Sequence, residues 1–226
     1  MVRVSASVWV SYRQMDEAIK KIEASNALKV GLISNPMAGV GGSVALKGSD
    51  AVYAEAIARG ATPKSQERVE TFLLSLTAQL ESLSKSARQR IEFFAMPLEM
   101  GETVLADAGY AATVLGEIES HRTSGEDTRR GAQLMAAAGV DLLLFAGGDG
   151  TARDIVDANI DIACLLGIPC GVKMHSGVFA TSPSAAAGLV AKLIEGTPIA
   201  KQQAEVRDVD ETRLREGLLN TRFYGE

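Results

Sequence analysis

Two hydrophobic periods take turns along this chain. Lys29-Val30-Gly31-Leu32-Ile33-Ser34 is a continuous apolar run stopped by Asn35-Pro36, the pattern of a strand buried on both faces of a parallel sheet. From Pro63 to Ser86 the apolar positions Val69, Phe72, Leu73, Leu76, Leu80 and Leu83 recur at helical spacing and predict a long amphipathic helix. Ile91 to Met96 reads as a second strand, Gly101 to Ala108 as a short helix, and Ala112 to Glu117 as a third strand. Thr123 to Gly139 predicts another helix, with Thr123, Ser124 and Asp127 available to cap its start and Gly139 to stop it. Val140 to Ala146 is the strongest strand signal, followed by a helix to about Ala158, a strand over Ala163 to Ile168, and a helix from Ser182 or Ser184 to Glu195. Strand and helix signals thus alternate from residue 29 to 196, which predicts an α/β domain over 29–200 with a doubly wound, largely parallel sheet and helices on both faces. Residues 1–28 read as a helical extension, with Met15, Ala18, Ile19 and Ile22 on one face, and Asp50 to Arg59 as a further short helix.

The 226 residues suffice for one such domain and a stub of a second. A hydrophobic share of 46% with 23% charged residues is ordinary for a globular chain and excludes disordered, collagen-like and coiled-coil classes. The net charge of −5, with no Lys/Arg cluster longer than two, argues against a generic nucleic-acid binder, whose affinity rests on a basic face. No stretch approaches the roughly eighteen uninterrupted apolar residues of a membrane span, so no membrane partner is expected. The N-terminus soon turns charged at Arg13, Asp16 and Glu17 and makes a poor secretory signal. Cys164 and Cys170 read as two small buried thiols in preference to a disulfide or metal pair, which together points to the cytoplasm.

Three polar, glycine-rich segments follow predicted strands: Asn35 to Gly48 with Gly39, Gly41 and Gly42, then Gly147 to Asp154, then Gly171 to Ser176. At the carboxyl edge of a parallel sheet they would converge on one crevice. Glycines there let backbone N–H groups approach phosphate oxygens, and the helix beginning near Gly150 turns its partly positive end to the same anion. Any one of these loops alone would read as an ordinary tight turn; three together, with Asp149 inside one, predict a phosphate site. Neither a Walker loop nor a G-x-G-x-x-G after the first strand is present, so the two commonest nucleotide cradles are excluded. In the third loop Lys173 and His175 offer a cation and an imidazole to a polyanion, or else are a surface charge and a packed histidine. Arg153 reads equally as a phosphate ligand or a solvated arginine, and His121 as surface. Asp208, Asp210 and Glu211 could gather a metal, but read better as a solvated face.

Gly147-Gly148-Asp149-Gly150-Thr151 after a hydrophobic strand resembles the loop shared by NAD kinases, diacylglycerol and sphingosine kinases and 6-phosphofructokinases. The segments ISNPMAGVGG (33–42), LKGSD (46–50), AGGDGTARDI (146–155), LGIPCGVKMHSGVFA (166–180) and EVRDVDE (205–211) resemble the ATP-NAD kinase family, and in particular the branch that includes the acetoin-catabolism protein X. The resemblance implies a Rossmann-like nucleotide-binding domain followed by a β-rich one, of which residues 201–226 would be a truncated or missing start. It implies a kinase that transfers phosphate from ATP, or from polyphosphate, to a ribose hydroxyl of NAD or a related nucleoside or nucleotide, and so makes NADP, with Mg²⁺ on the phosphates and a homo-oligomeric state. Asp149 would be the catalytic base or orienting group. Asn35, Gly39, Gly41, Gly42, Gly147, Gly148, Gly150, Thr151, Arg153, Lys173, His175 and Ser176 would bind nucleotide or phosphate. The alternative is a nucleotide-binding regulatory module without efficient kinase activity.

Overall fold

The computed structural model describes residues 27–40, 60, 62–84, 87–121, 123–162, 164–171, 174–197, 199, 204–209 and 221–225. The expected helices over 13–24 and 50–59 lie outside the described residues.

Five parallel strands, β1 (Leu28–Ser34), β2 (Ile91–Ala95), β3 (Ala112–Val114), β4 (Leu142–Gly147) and β5 (Leu165–Pro169), form one sheet in the order β3-β2-β1-β4-β5. The chain winds outward from β1 in one direction through β2 and β3, then returns to the other side of β1 for β4 and β5. This is the doubly wound α/β arrangement that the alternating pattern predicts, Rossmann-like as the family resemblance implies, with its reversal between β1 and β4. The helices are α1 (Ser65–Leu83), α2 (Glu102–Asp107), α3 (Gly125–Ala137), α4 (Asp149–Asp157) and α5 (Pro183–Glu195). Strands β6 (Val206–Val209) and β7 (Thr221–Gly225) pair antiparallel as a separate ribbon whose first strand packs on α4.

The continuous apolar runs have a physical reason in the two layers they feed. Along β1, Val30 and Leu32 enter one core with Phe72, Leu73 and Leu76 of α1 and Val190 and Ile194 of α5, while Ile33 enters the other. Along β4, Leu142 and Leu144 join the first core, and Leu143 and Phe145 join Met135 of α3 and Ile155 of α4 in the second. Strands covered on both faces need apolar residues at every position. Close approach matters at Gly31, where a Cβ would lie 2.9 Å from the Met135 sulfur.

Local chemistry moved several expected boundaries. The fourth strand starts at Leu142, two residues late, because Val140 and Asp141 are used elsewhere. The Gly139 and Val140 N–H groups bond to Ala136 O (3.0 Å) and Met135 O (3.3 Å), closing α3 in a Schellman turn with Gly139 at φ +70°. Asp141 clips β1: its N–H reaches Lys29 O (2.9 Å) and its carboxylate accepts the Lys29 N–H (2.9 Å). Asp127 accepts the Ser124 N–H at 2.9 Å, fixing the start of α3 as its sequence suggests. Ser182 caps α5, accepting the Ala185 N–H at 3.1 Å, so Ser184 lies inside the helix and bonds Ser75 of α1 at 2.9 Å. The third strand keeps only three of its six expected residues because it is a sheet edge that turns at Gly116 (φ +76°).

Neither cysteine is in a disulfide; Cys170 is buried and Cys164 only half-buried. Burial pushes the Cys170 thiol up to about 12, against a smaller opposing pull from the Arg68 guanidinium. In the unfolded chain a thiol ionises near pH ~8.5. The folded state therefore keeps a proton that the unfolded state loses, and stability that is intact below that pH falls as the pH climbs toward 12. Cys170→Ala is expected to flatten the fall in melting temperature above about pH 8.5. Thermal melts of the two proteins between neutral and alkaline buffer check this, and parallel curves would refute it.

Among the described residues, no helix is long and apolar enough to cross a membrane.

Candidate phosphate-binding site

The loops that leave β1, β4 and β5 lie side by side at the carboxyl edge of the sheet, and backbone hydrogen bonds join them. The Asn35 N–H reaches Ala146 O at 2.9 Å and the Cys170 N–H reaches Gly147 O at 3.0 Å. β1 and β4 flank the point where the strand order reverses, the position at which open α/β sheets bind ligands. Gly39 is required here on two counts. Its φ of +87° suits glycine, and a Cβ would lie 2.7 Å from both Cys170 O and Lys64 Cβ. The start of α1 joins the same cluster through the Lys64 N–H, which bonds to Ala38 O at 2.9 Å.

The sequence suggests Asp149 inside a loop; instead it is the first residue of α4, with Gly148 as the N-cap. The turn from strand to helix is tight because Thr151 folds back on Gly147. A Cβ on Gly147 would lie 2.5 Å from Thr151 Cβ and closer still to its hydroxyl. The buried Thr151 hydroxyl accepts from the Asn35 amide at 3.0 Å, and Asn35 Oδ1 accepts the Met37 N–H at 3.0 Å. Asn35 and Thr151 thus brace the two loops against each other. The first backbone bond into the helix comes from the Ala152 N–H to Gly148 O at 3.1 Å. The N–H groups of Asp149, Gly150 and Thr151 precede it and have no intrahelical acceptor, as at any helix start. Gly148 has no such steric reason to be glycine, since a Cβ there meets no described atom within 4 Å. This is the arrangement in which a glycine N-cap and a helix start can take up a phosphate.

The Asp149 side chain is 8% exposed and turns toward the loop after β5. Its Oδ2 accepts the His175 N–H at 2.8 Å; its Oδ1 accepts the Ser176 N–H at 3.0 Å and the Ser176 hydroxyl at 2.6 Å. The Ser176 Oγ also accepts the Arg207 N–H at 3.0 Å, and the Gly177 N–H bonds to Glu205 O at 2.9 Å. The ribbon that opens with β6 is thereby attached to the loop that holds the carboxylate.

The remaining residues suggested by the sequence divide into three groups. His175 enters the site through its main chain, its side chain being exposed, and Ser176 gives Asp149 its N–H and shares its hydroxyl between Asp149 Oδ1 at 2.6 Å and Arg207 O at 2.9 Å. Arg153, 27% exposed, places its guanidinium 3.4 Å from the Asp154 carboxylate, which Arg129 also holds at 3.0 Å. Gly41, Gly42, Lys173, Asp210 and Glu211 lie outside the described residues, and Asp208 is described in its backbone alone. Among the described residues no three His, Cys, Asp or Glu side chains gather to hold a metal ion. The sequence reading missed one participant. Arg207 acts through its backbone, while its segment draws attention for its carboxylates.

Comparison with curated proteins and with solved structures gave no match. The family model for the ATP-NAD kinase N-terminal domain matches residues 30–197, which include all five sheet strands from Val30 onward, helices α1 to α5 and the three loops of the crevice. With the model covering most of its length, the chain belongs to the ATP-NAD kinase family, a family of nucleotide kinases, and carries that family's N-terminal domain.

Proposed function

We propose that this chain phosphorylates a ribose hydroxyl of NAD or a related nucleoside or nucleotide, with ATP or polyphosphate as the donor. The observation that carries this reading is the junction of β4 and α4. There a glycine N-cap, three open helix amides and a buried carboxylate stand together at the reversal point of the sheet. The amides of Asp149, Gly150 and Thr151 would receive phosphate oxygens, and Gly148 leaves room for their approach. Asn35 and Thr151 would keep this cradle rigid, so that no reorganisation is needed when charge develops on the phosphates.

Asp149 would orient the acceptor hydroxyl and take its proton. A carboxylate offers roughly four lone-pair directions, and three of those on Asp149 are filled by His175 and Ser176. The one left can serve a hydroxyl or a metal. One carboxylate direction is what Mg²⁺ needs when it arrives on nucleotide phosphates and keeps most of its waters; when bound, it would neutralise phosphate charge. Asp149 is the residue that could hold it, in place of the acceptor hydroxyl and not beside it. Residues 201–226, with the β6–β7 ribbon, would begin the β-rich part that completes an acceptor pocket.

A coupled assay for NADP formation with ATP or polyphosphate, beside calorimetric titration with ATP and with NAD, tests the reading. Turnover with either donor is the expected result. Binding without turnover would favour a regulatory nucleotide-binding module, a second reading supported by how fully Asp149 is engaged within the chain. Absence of binding would overturn both.

A further inference from the structure

Arg68 lies in the first turn of α1, and its N–H bonds to Lys64 O at 3.0 Å, so Arg68 and Lys64 share one helix face. At Lys64 that face abuts Gly39 and the carbonyl of Cys170. Cys170 is bonded in turn to Gly147, the residue that opens the glycine loop of β4. From that face the Arg68 guanidinium is within electrostatic reach of Cys170, as it is of Glu67. Its Nε is buried and has no hydrogen-bond partner among the described residues. Glu67 feels the Arg68 charge but is hydrogen-bonded to Lys64 at 2.8 Å, and Glu70 is bonded to Gln66 at 3.1 Å, so neither fills the Arg68 Nε. Cys170 stays a neutral thiol.

Buried donors without acceptors are few in folded proteins, and each calls for a reason. Arg90 also has a buried, unpartnered Nε, but it stands just before β2, at the amino edge of the sheet and away from the glycine loops. Arg68 stands at the carboxyl edge beside them. Arginine's rigid fork of donors matches the oxygens of a phosphate better than any other side chain does. We propose that Arg68 is a phosphate-binding residue of this site, its guanidinium reaching a polyphosphate chain at the rim formed by Gly39, Lys64 and Cys170 while the α4 amides hold the other end. The inference rests on the reading of the crevice as a nucleotide site and adds to it a cation from the opposite wall.

Calorimetric titration of the full chain with ATP and with inorganic tripolyphosphate, at fixed ionic strength, tests it. Arg68→Ala is expected to weaken both ligands by about ten- to a hundredfold, the effect of losing a hydrogen bond to a charged group. Arg68→Lys should recover part of that loss, because a point charge lacks the fork. Equal loss for the two ligands points to the phosphates they share; loss for ATP alone would overturn the assignment, as would wild-type affinity in Arg68→Ala. If the wild type binds and transfers while Arg68→Ala is unaltered, the inference fails and the kinase reading stands. If the wild type binds neither ligand, both fail. Should Arg68→Ala not fold, phenylglyoxal labelling of the wild type gives an independent answer: tripolyphosphate should protect the Arg68 peptide, and undiminished labelling would refute the proposal.

Discussion

Asp149→Asn is expected to reduce phosphoryl transfer by about a hundred- to ten-thousandfold, the range over which a positioned general base contributes. The substitution keeps the shape and removes the charge, so affinity for ATP measured without Mg²⁺, which on the proposed reading comes from the α4 amides and Arg68, should stay within a few-fold of wild type. Its structural cost is specific to this site. Both carboxylate oxygens accept from fixed donors, Oδ2 from the His175 N–H and Oδ1 from the Ser176 N–H and hydroxyl. An amide must turn its own N–H₂ toward one of these sets, setting donor against donor in a buried place. Leaving a buried donor unmatched costs about 1–3 kcal/mol, which for a chain of this size lowers the melting temperature by about 2–12 °C. Steady-state assays for NADP, titration with ATP and thermal melts read the three effects separately. Transfer at near wild-type rate would remove Asp149 from the chemistry.

Phe145→Ala is expected to destabilise the protein by about 3–5 kcal/mol, the usual cost of removing a buried aromatic ring. For this site the consequence is local as well as global. Phe145 is fully buried and meets Phe179 edge to face, with centroids 5.2 Å apart. Both rings close over Gly167, where a Cβ would lie 2.6 Å from Phe179 Cε1 and 2.8 Å from Phe145 Cζ. Phe179 is also tied to β5 through the Gly167 N–H to Val178 O (2.8 Å) and the Ala180 N–H to Gly167 O (2.9 Å). The pair thus anchors the segment that carries His175 and Ser176 to Asp149. Hydrogen exchange should show the His175 and Ser176 amides losing more protection in Phe145→Ala than in Phe72→Ala, a fully buried residue of the opposite core. Equal loss in the two variants would mean that the ring supports only the fold.

The fold was legible in this sequence because its strands are covered on both faces. A run such as Leu142 to Ala146, too short for a core helix and apolar at every position, suits a strand covered on both sides, and the apolar face of α1 marks the side that packs on the sheet. The boundaries were less legible where a residue served a neighbouring element. Val140 and Asp141 have the apolar and polar character of strand residues, yet one closes α3 and the other clips β1. Side-chain patterns located the crevice through Asn35, Gly39 and the loop around Asp149. They could not foresee that His175 and Arg207 would act through main-chain groups, because every residue type offers the same N–H. The buried, unpartnered Nε on which the Arg68 proposal rests was hidden for a related reason: a cation on an amphipathic helix is unusual only once its acceptors have been counted.

The bond between Ser176 and the Arg207 N–H joins residues 31 positions apart and encloses α5 in the loop between them. The Ser176 Oγ meets the Arg207 N–H at 3.0 Å and the Arg207 O at 2.9 Å on one side, and Asp149 Oδ1 at 2.6 Å on the other. In mechanical terms, one serine side chain couples the acidic centre of the crevice to the β6 segment, so that a displacement of the Arg207 backbone is felt at Asp149.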